Sequence, residues 1–332
     1  MVDAAGDGSH LYTVAELLGG WTAQDPISYA STHDLTMFAR ASVEGLRVPS
    51  ADHIARDRAM HDLHITRALG REIDGRRVVA FMGGHKLERG SITYEMVAEI
   101  AWALAGHELQ FVVVSGGGPG AMEAAHLGAR LAPFSHSELR RALALIAFED
   151  GARRFPHYKP AEFIDASGRF DPTLLAALHR WQAPAFRVAA EWSDAAAGPS
   201  IGIPTWLYGH EPPTPLATLH AKYFENSIRE DGLLAIAKSG VIFAEGSAGT
   251  LQEVFQDAAQ NYYSSVDQTQ SPMVFLDIDE FWSVRRPVRL LLDGLFDEAT
   301  ERIMSFVSTA AEAVEAVVVS SRINPGAPEL QP

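Results

Sequence analysis

The feature that most constrains this chain is a unit that recurs along it: a short, continuously apolar run, a glycine stop, then a helical stripe. Val78–Met82 (VVAFM) ends at Gly83-Gly84 and is followed by Met96, Val97, Ile100, Ala101 and Leu104 at helical spacing. Phe111–Val114 (FVVV) ends at Ser115-Gly116-Gly117-Gly118, and a helix is expected from about Ala121 to Leu131. Strands that are apolar throughout, rather than alternating, belong to a parallel sheet covered on both faces. The pattern therefore predicts an α/β chain with a doubly wound parallel sheet and helices on both sides.

The rhythm lapses over residues 133–200, where helical pieces (Ser137–Phe148, Pro172–Trp181) alternate with Pro, Gly and aromatic residues; an insertion or cap over the sheet is expected there. It then resumes. Ile201–Trp206 reads as a strand, Leu219–Ala237 as a helix, Val241–Ala244 as a strand, Gly249–Asn261 as a helix and Met273–Leu276 as a strand, with a short strand near Ile303–Val307. Residues 1–76 read as a helical packing extension, with Met60, Leu63, Ile65 and Leu69 striping Asp57–Leu69, and 321–332 as a Pro-rich tail that frays after Asn324. The nucleotide-binding unit is expected over 77–320.

Composition narrows the function classes. With 332 residues and 47% hydrophobic content, a large core is within reach. Lys and Arg number 27 against 42 Asp and Glu, giving a net charge of −15, which disfavours general DNA or RNA binding. The absence of Cys excludes disulfides, thiolate catalysis and Cys-ligated metal, and fits a cytoplasmic protein. The opening MVDAAGDGSH carries no secretory pattern, and no apolar run reaches the roughly 18 residues of a membrane span. The 13 His show no metal-ligand spacing, and lone ones such as His85, His210 and His220 read as structural. No metal and no cofactor are expected.

Two glycine-rich turns carry the candidate chemistry. Ser115-Gly116-Gly117-Gly118-Pro119-Gly120-Ala121-Met122-Glu123 follows a strand and opens a helix, where free N–H groups and the helix dipole suit an anion. It is neither the dinucleotide fingerprint nor a Walker loop, and a plain tight turn is the competing reading. Ala244-Glu245-Gly246-Ser247-Ala248-Gly249-Thr250 has the same position after a later strand, and Glu253 lies three residues beyond it. Glu253 is either a carboxylate beside whatever the loop holds or half of a capping box with Thr250. Arg229 is either a site cation or an exposed partner of Glu225 or Glu230. Trp206 and Tyr208 suit either base stacking or packing.

Together these residues resemble the "lonely guy" (LOG) family, long labelled lysine decarboxylase-like, and within it the bacterial nucleotide 5′-monophosphate nucleosidases. Four blocks in order carry the resemblance: VVAFMGGHKLERGSITYEMVAEIAWALA (78–105), SGGGPGAMEAAHLGA (115–129), EPPTP (211–215) and IFAEGSAGTLQE (242–253). Similarity extends over about 78–318, apart from the middle insertion. The resemblance implies a homodimeric Rossmann-like fold without dinucleotide. It also implies hydrolysis of the N-glycosidic bond of a nucleoside 5′-monophosphate, a small-molecule partner, to free base and ribose 5-phosphate. Carried over by position, Glu253 and Arg229 match the catalytic pair. Gly246, Ser247, Gly249 and Thr250 match the phosphate loop, and Gly83, Gly84, Ser115, Gly116, Gly117, Gly118, Met122 and Glu123 match the residues lining the nucleotide. One departure stands out: the family's Pro-Gly-Gly-x-Gly-Thr becomes Ala244–Thr250 here, with the Pro lost, a residue added and Glu245 introduced. A carboxylate beside a phosphate weakens binding unless it turns away or meets a cation. A non-catalytic nucleotide sensor or carrier of the same fold is the alternative.

Overall fold

The structure, a computed structural model, describes residues 10–148, 150–193, 196–263, 270–295 and 303–323. The tail expected to fray after Asn324 lies outside these residues, as does the opening run 1–9.

Seven strands form one all-parallel sheet: β1 (Arg77–Met82), β2 (Phe111–Ser115), β3 (Ser200–Gly202), β4 (Leu219–His220), β5 (Gly240–Phe243), β6 (Met273–Leu276) and β7 (Met304–Val307). Their spatial order is β4-β3-β2-β1-β5-β6-β7. From β1 the chain steps outward to β4, then returns to the far side of β1 to lay down β5. The sheet therefore reverses its winding between β1 and β5, and a crevice opens there beyond the carboxyl ends of the strands, where open α/β sheets bind ligands.

The continuous apolar strands have the predicted cause. Val78, Ala80 and Met82 of β1 face one core, and Val79 and Phe81 face the other. The first core is closed by α1 (Val14–Leu18), α2 (His33–Val43) and α3 (Asp52–Ile73) of the N-terminal extension, with α10 (Asn226–Ile236), α11 (Ala248–Tyr263) and α12 (Val288–Leu292). The second is closed by α4 (Ile92–Ala105), α5 (Ala121–Leu131), α6 (His136–Ala147) and α13 (Ala310–Ile323). Helices thus cover both faces of a doubly wound, Rossmann-like sheet. In α3, Ile65 and Leu69 enter the core, whereas Met60 and Leu63 remain exposed, so the stripe read from the sequence is only half used.

The middle insertion lies within the β2–β3 crossover. It comprises α6, the single turns α7 (Asp150–Arg153) and α8 (Pro160–Phe163), and α9 (Pro172–Glu191). The Asp171 side chain caps α9 by accepting from the N–H groups of Thr173 and Leu174, both at 2.9 Å. Helix α9 then runs past the expected end at Trp181 and carries Pro184 in its interior.

Two readings need correction. The strand expected over Ile201–Trp206 stops at Gly202, and Trp206–Tyr208 is a 3-10 turn. The helix expected over Leu219–Ala237 begins only at Asn226, capped by Glu225, because Leu219–His220 is the edge strand. His220 and Tyr12 exchange backbone hydrogen bonds of 2.8 and 3.0 Å, so the N-terminal segment covers that edge. Such pairing is long-range and leaves no helical or strand periodicity to read.

Candidate active site

The glycine turns after β1, β2 and β5 meet at the winding reversal. Gly84 donates its N–H to the Glu245 carbonyl (2.9 Å), and Ala121, first residue of α5, donates to the Gly84 carbonyl (3.3 Å). Gly83 packs between Ala121 and Ala244. Three loops distant in sequence are thereby locked into one floor.

Arg229 comes to this floor from α10. Its Nε donates to the Ile203 carbonyl at 2.8 Å, just past β3, and this aims the guanidinium at Gly116. A Cβ on Gly116 would overlap the Arg229 guanidinium and would stand 2.7 Å from Met122 Sδ. The loop must be glycine here because an arginine and a methionine occupy the space a side chain would take. Arg229 is half-buried and makes no ion pair within 4.0 Å among the described contacts. The exposed pairing with Glu225 or Glu230 that the sequence left open is not formed: the Glu225 carboxylate accepts from Ser227, and that of Glu230 accepts from Asn226.

Helix α11 begins at Ala248, so Glu253 lies in its second turn and cannot form a capping box with Thr250. Burial pushes the Glu253 carboxyl up to about 7, with Glu230 adding to the rise and Arg229 opposing it. The charge of Arg229 therefore acts on Glu253. Thr250 is 4% exposed and its side chain occupies the Cβ position of Gly246, which accounts for that glycine. Ser247 and Gly249 are exposed at the start of α11, where unpaired N–H groups point outward.

Two residues matched to the nucleotide lining lie elsewhere. Glu123 is fully buried, accepting from Arg89 Nε and Nη2 at 2.7 Å each and from the Tyr94 hydroxyl at 2.8 Å. Arg89 also donates to the carbonyls of Ala152 (3.1 Å) and Trp181 (2.6 Å), so this pair ties the insertion to the sheet instead of facing a ligand. Ser115 is equally buried. Its hydroxyl accepts from Gly117 N–H (3.0 Å) and meets His126 Nε2 (2.8 Å), which burial keeps neutral by lowering its pKa to about 3. Ser115 thus shapes the glycine loop from behind. Met122 is half-buried against the loop, its Cε 3.1 Å from the Cβ position of Gly118. Trp206 is core, its indole N–H donating to the Asp34 carbonyl (3.3 Å), and Tyr208 is 43% exposed.

One residue at the site had no role assigned from the sequence. Glu211, leading the EPPTP block, brings Oε2 to 3.8 Å from the Cβ position of Gly118 and Oε1 to 3.5 Å from His85 Nδ1 and 4.0 Å from His210 Nε2. The block is held rigidly. Thr214 N–H donates to the Gly117 carbonyl (2.8 Å), His220 Nε2 contacts the Thr214 carbonyl (3.0 Å), and buried Arg130 donates to the carbonyls of Pro215 (3.2 Å) and Leu216 (3.0 Å). Burial raises Glu211 to about 7 against the pull of Arg229. His85 and His210, read as structural from the sequence, flank this carboxyl. The available signal was an acidic residue at the head of a double-proline segment, which presents its side chain on stiff backbone.

No protein-family model matches this chain, and no curated protein matches it significantly.

Proposed function

We propose that the protein hydrolyses the N-glycosidic bond of nucleoside 5′-monophosphates, releasing free base and ribose 5-phosphate. The observation that carries this reading is the placement of the Arg229 guanidinium against Gly116 at the winding reversal of the sheet, where α11, which carries Glu253 in its second turn, also begins.

The C1′–N bond breaks through an oxocarbenium-like state, and a carboxylate at that centre stabilises the charge or activates water. Glu253 takes this role. Arg229 orients Glu253 and neutralises negative charge on the substrate. The free N–H groups at the start of α11 receive the 5′-phosphate, with the helix dipole assisting, and this remote contact positions the reacting centre. Gly116–Gly118 border the ribose and base.

The test is chromatographic detection of free base from a panel of purine and pyrimidine 5′-monophosphates. Release that disappears in Glu253→Gln supports the reading. Release that persists near the wild-type rate removes Glu253 from the chemistry, and no release from any substrate by the wild-type protein overturns the reading.

The same resemblance implies a cytoplasmic homodimer. Ile228 of α10 and Phe255, Tyr262 and Tyr263 of α11 are exposed apolar surface on two helices that pack together, open to a second copy. Sedimentation equilibrium reads the mass directly.

A further inference from the structure

Glycosidic cleavage needs two things of the protein: help for the developing cation at C1′ and a proton for the departing base. Glu253 and Arg229 address the first. Nothing assigned so far supplies the second.

We infer that Glu211 is the proton donor to the leaving base; the inference rests on the nucleosidase reading above. Three observations carry it. The Glu211 carboxyl stands over Gly118, on the glycine-loop side of the crevice that borders the base, whereas Glu253 projects from α11 beside the phosphate loop. The backbone that carries it is held by its own N–H, which donates to the Tyr208 carbonyl (2.8 Å), and by the Gly117, His220 and Arg130 contacts to residues 214–216 that follow. The groups that face it are His85, His210, Tyr158 from the insertion and Arg229. Burial lowers both imidazoles, His210 to about 4, and raises the Tyr158 hydroxyl, so three of the four are neutral near pH 7. Arg229 acts on Glu253 as well, leaving Glu211 without a dedicated counter-ion. These surroundings keep a substantial fraction of the carboxyl protonated near neutral pH.

The step balances. The C1′–N bond breaks and its electron pair passes to the base nitrogen, which takes the Glu211 proton. Water bonds to C1′ and yields a proton to the Glu253 carboxylate. Glu211 ends ionised and Glu253 protonated, and exchange with solvent resets both.

The experiment compares two substrates on Glu211→Gln: the best nucleoside 5′-monophosphate, and 4-nitrophenyl ribofuranoside 5-phosphate, whose leaving group departs as an anion without a proton. Gln keeps the shape and the neutrality. The expected result is a fall in kcat on the nucleotide of about 10²–10⁴-fold, with the nitrophenyl substrate changed by only a few fold and the alkaline limb of the nucleotide pH profile gone. Glu211→Asp, which retains an acid, should recover part of the nucleotide rate and the alkaline limb, and it also serves should the Gln variant fail to fold. An equal fall on both substrates, or an unchanged nucleotide rate, overturns the assignment while leaving the nucleosidase reading intact. A wild-type protein that releases no base overturns both.

Discussion

The guanidinium of Arg229 is held by the backbone carbonyl of Ile203, Nε to O at 2.8 Å, and Ile203 in turn donates its N–H to the Ser115 carbonyl at 2.8 Å. A helix that follows β4 is thereby tied through the end of β3 to the loop that follows β2. The cation sits against Gly116 because of backbone contacts, with no carboxylate within ion-pair distance among the described residues, so its charge is left to act on Glu253 and Glu211 together.

Gly116→Ala tests that placement. The new methyl group overlaps the Arg229 guanidinium and crowds Met122 Sδ. Base release should fall on the order of 100-fold, the usual consequence of displacing a site group by about 1 Å. Circular dichroism should report an unchanged fold.

The acid limb of the pH–rate profile should report the ionisation of Glu253, which burial raises to about 7. Arg229 pulls that carboxyl down, so Arg229→Gln should move the acid limb of kcat/KM to higher pH in addition to lowering the rate. A pH–rate profile of the two proteins reads the shift; an acid limb that stays put would separate Arg229 from Glu253.

Glu123→Ala should show itself in stability. It leaves Arg89 buried without its carboxylate, at a cost of about 3–5 kcal/mol in denaturant unfolding. It should also loosen the insertion, since Arg89 holds the Ala152 and Trp181 carbonyls, and proteolysis within 150–193 should accelerate.

Asp257, 1% exposed on α11, is raised to about 7 by burial, with Ser271 and Lys238 opposing the rise, and its Oδ2 has no hydrogen-bond partner. A folded pKa above the unfolded value makes the carboxyl a source of instability that grows as pH rises from about 4 to about 7. Asp257→Asn should therefore be more stable than wild type at pH 8, by about 1–3 kcal/mol after the cost of its own unpaired amide, and should match wild type near pH 4. Thermal melts at the two pH values check this.

The chain itself determined the class of fold. VVAFM and FVVV are apolar at every position, which requires cover on both faces, and the glycines that follow mark where strands turn into helices. The same local signal located the two loops and put Glu253 one turn or so past the second. What the sequence alone did not carry depends on contacts between distant segments. The edge strand Leu219–His220 exists because Ser200–Gly202 and Tyr12 pair with it. Glu123 sits in a lining motif, yet its carboxylate turns inward because Arg89, 34 residues earlier, needs a buried partner. Glu211 lies 93 residues from Gly118 and 126 from His85 in the chain, and only the folded sheet brings it over the one and beside the other. Periodicity records which face of an element meets the core. Which side chains converge at the end of the sheet is set by strand order, and strand order is a property of the tertiary structure.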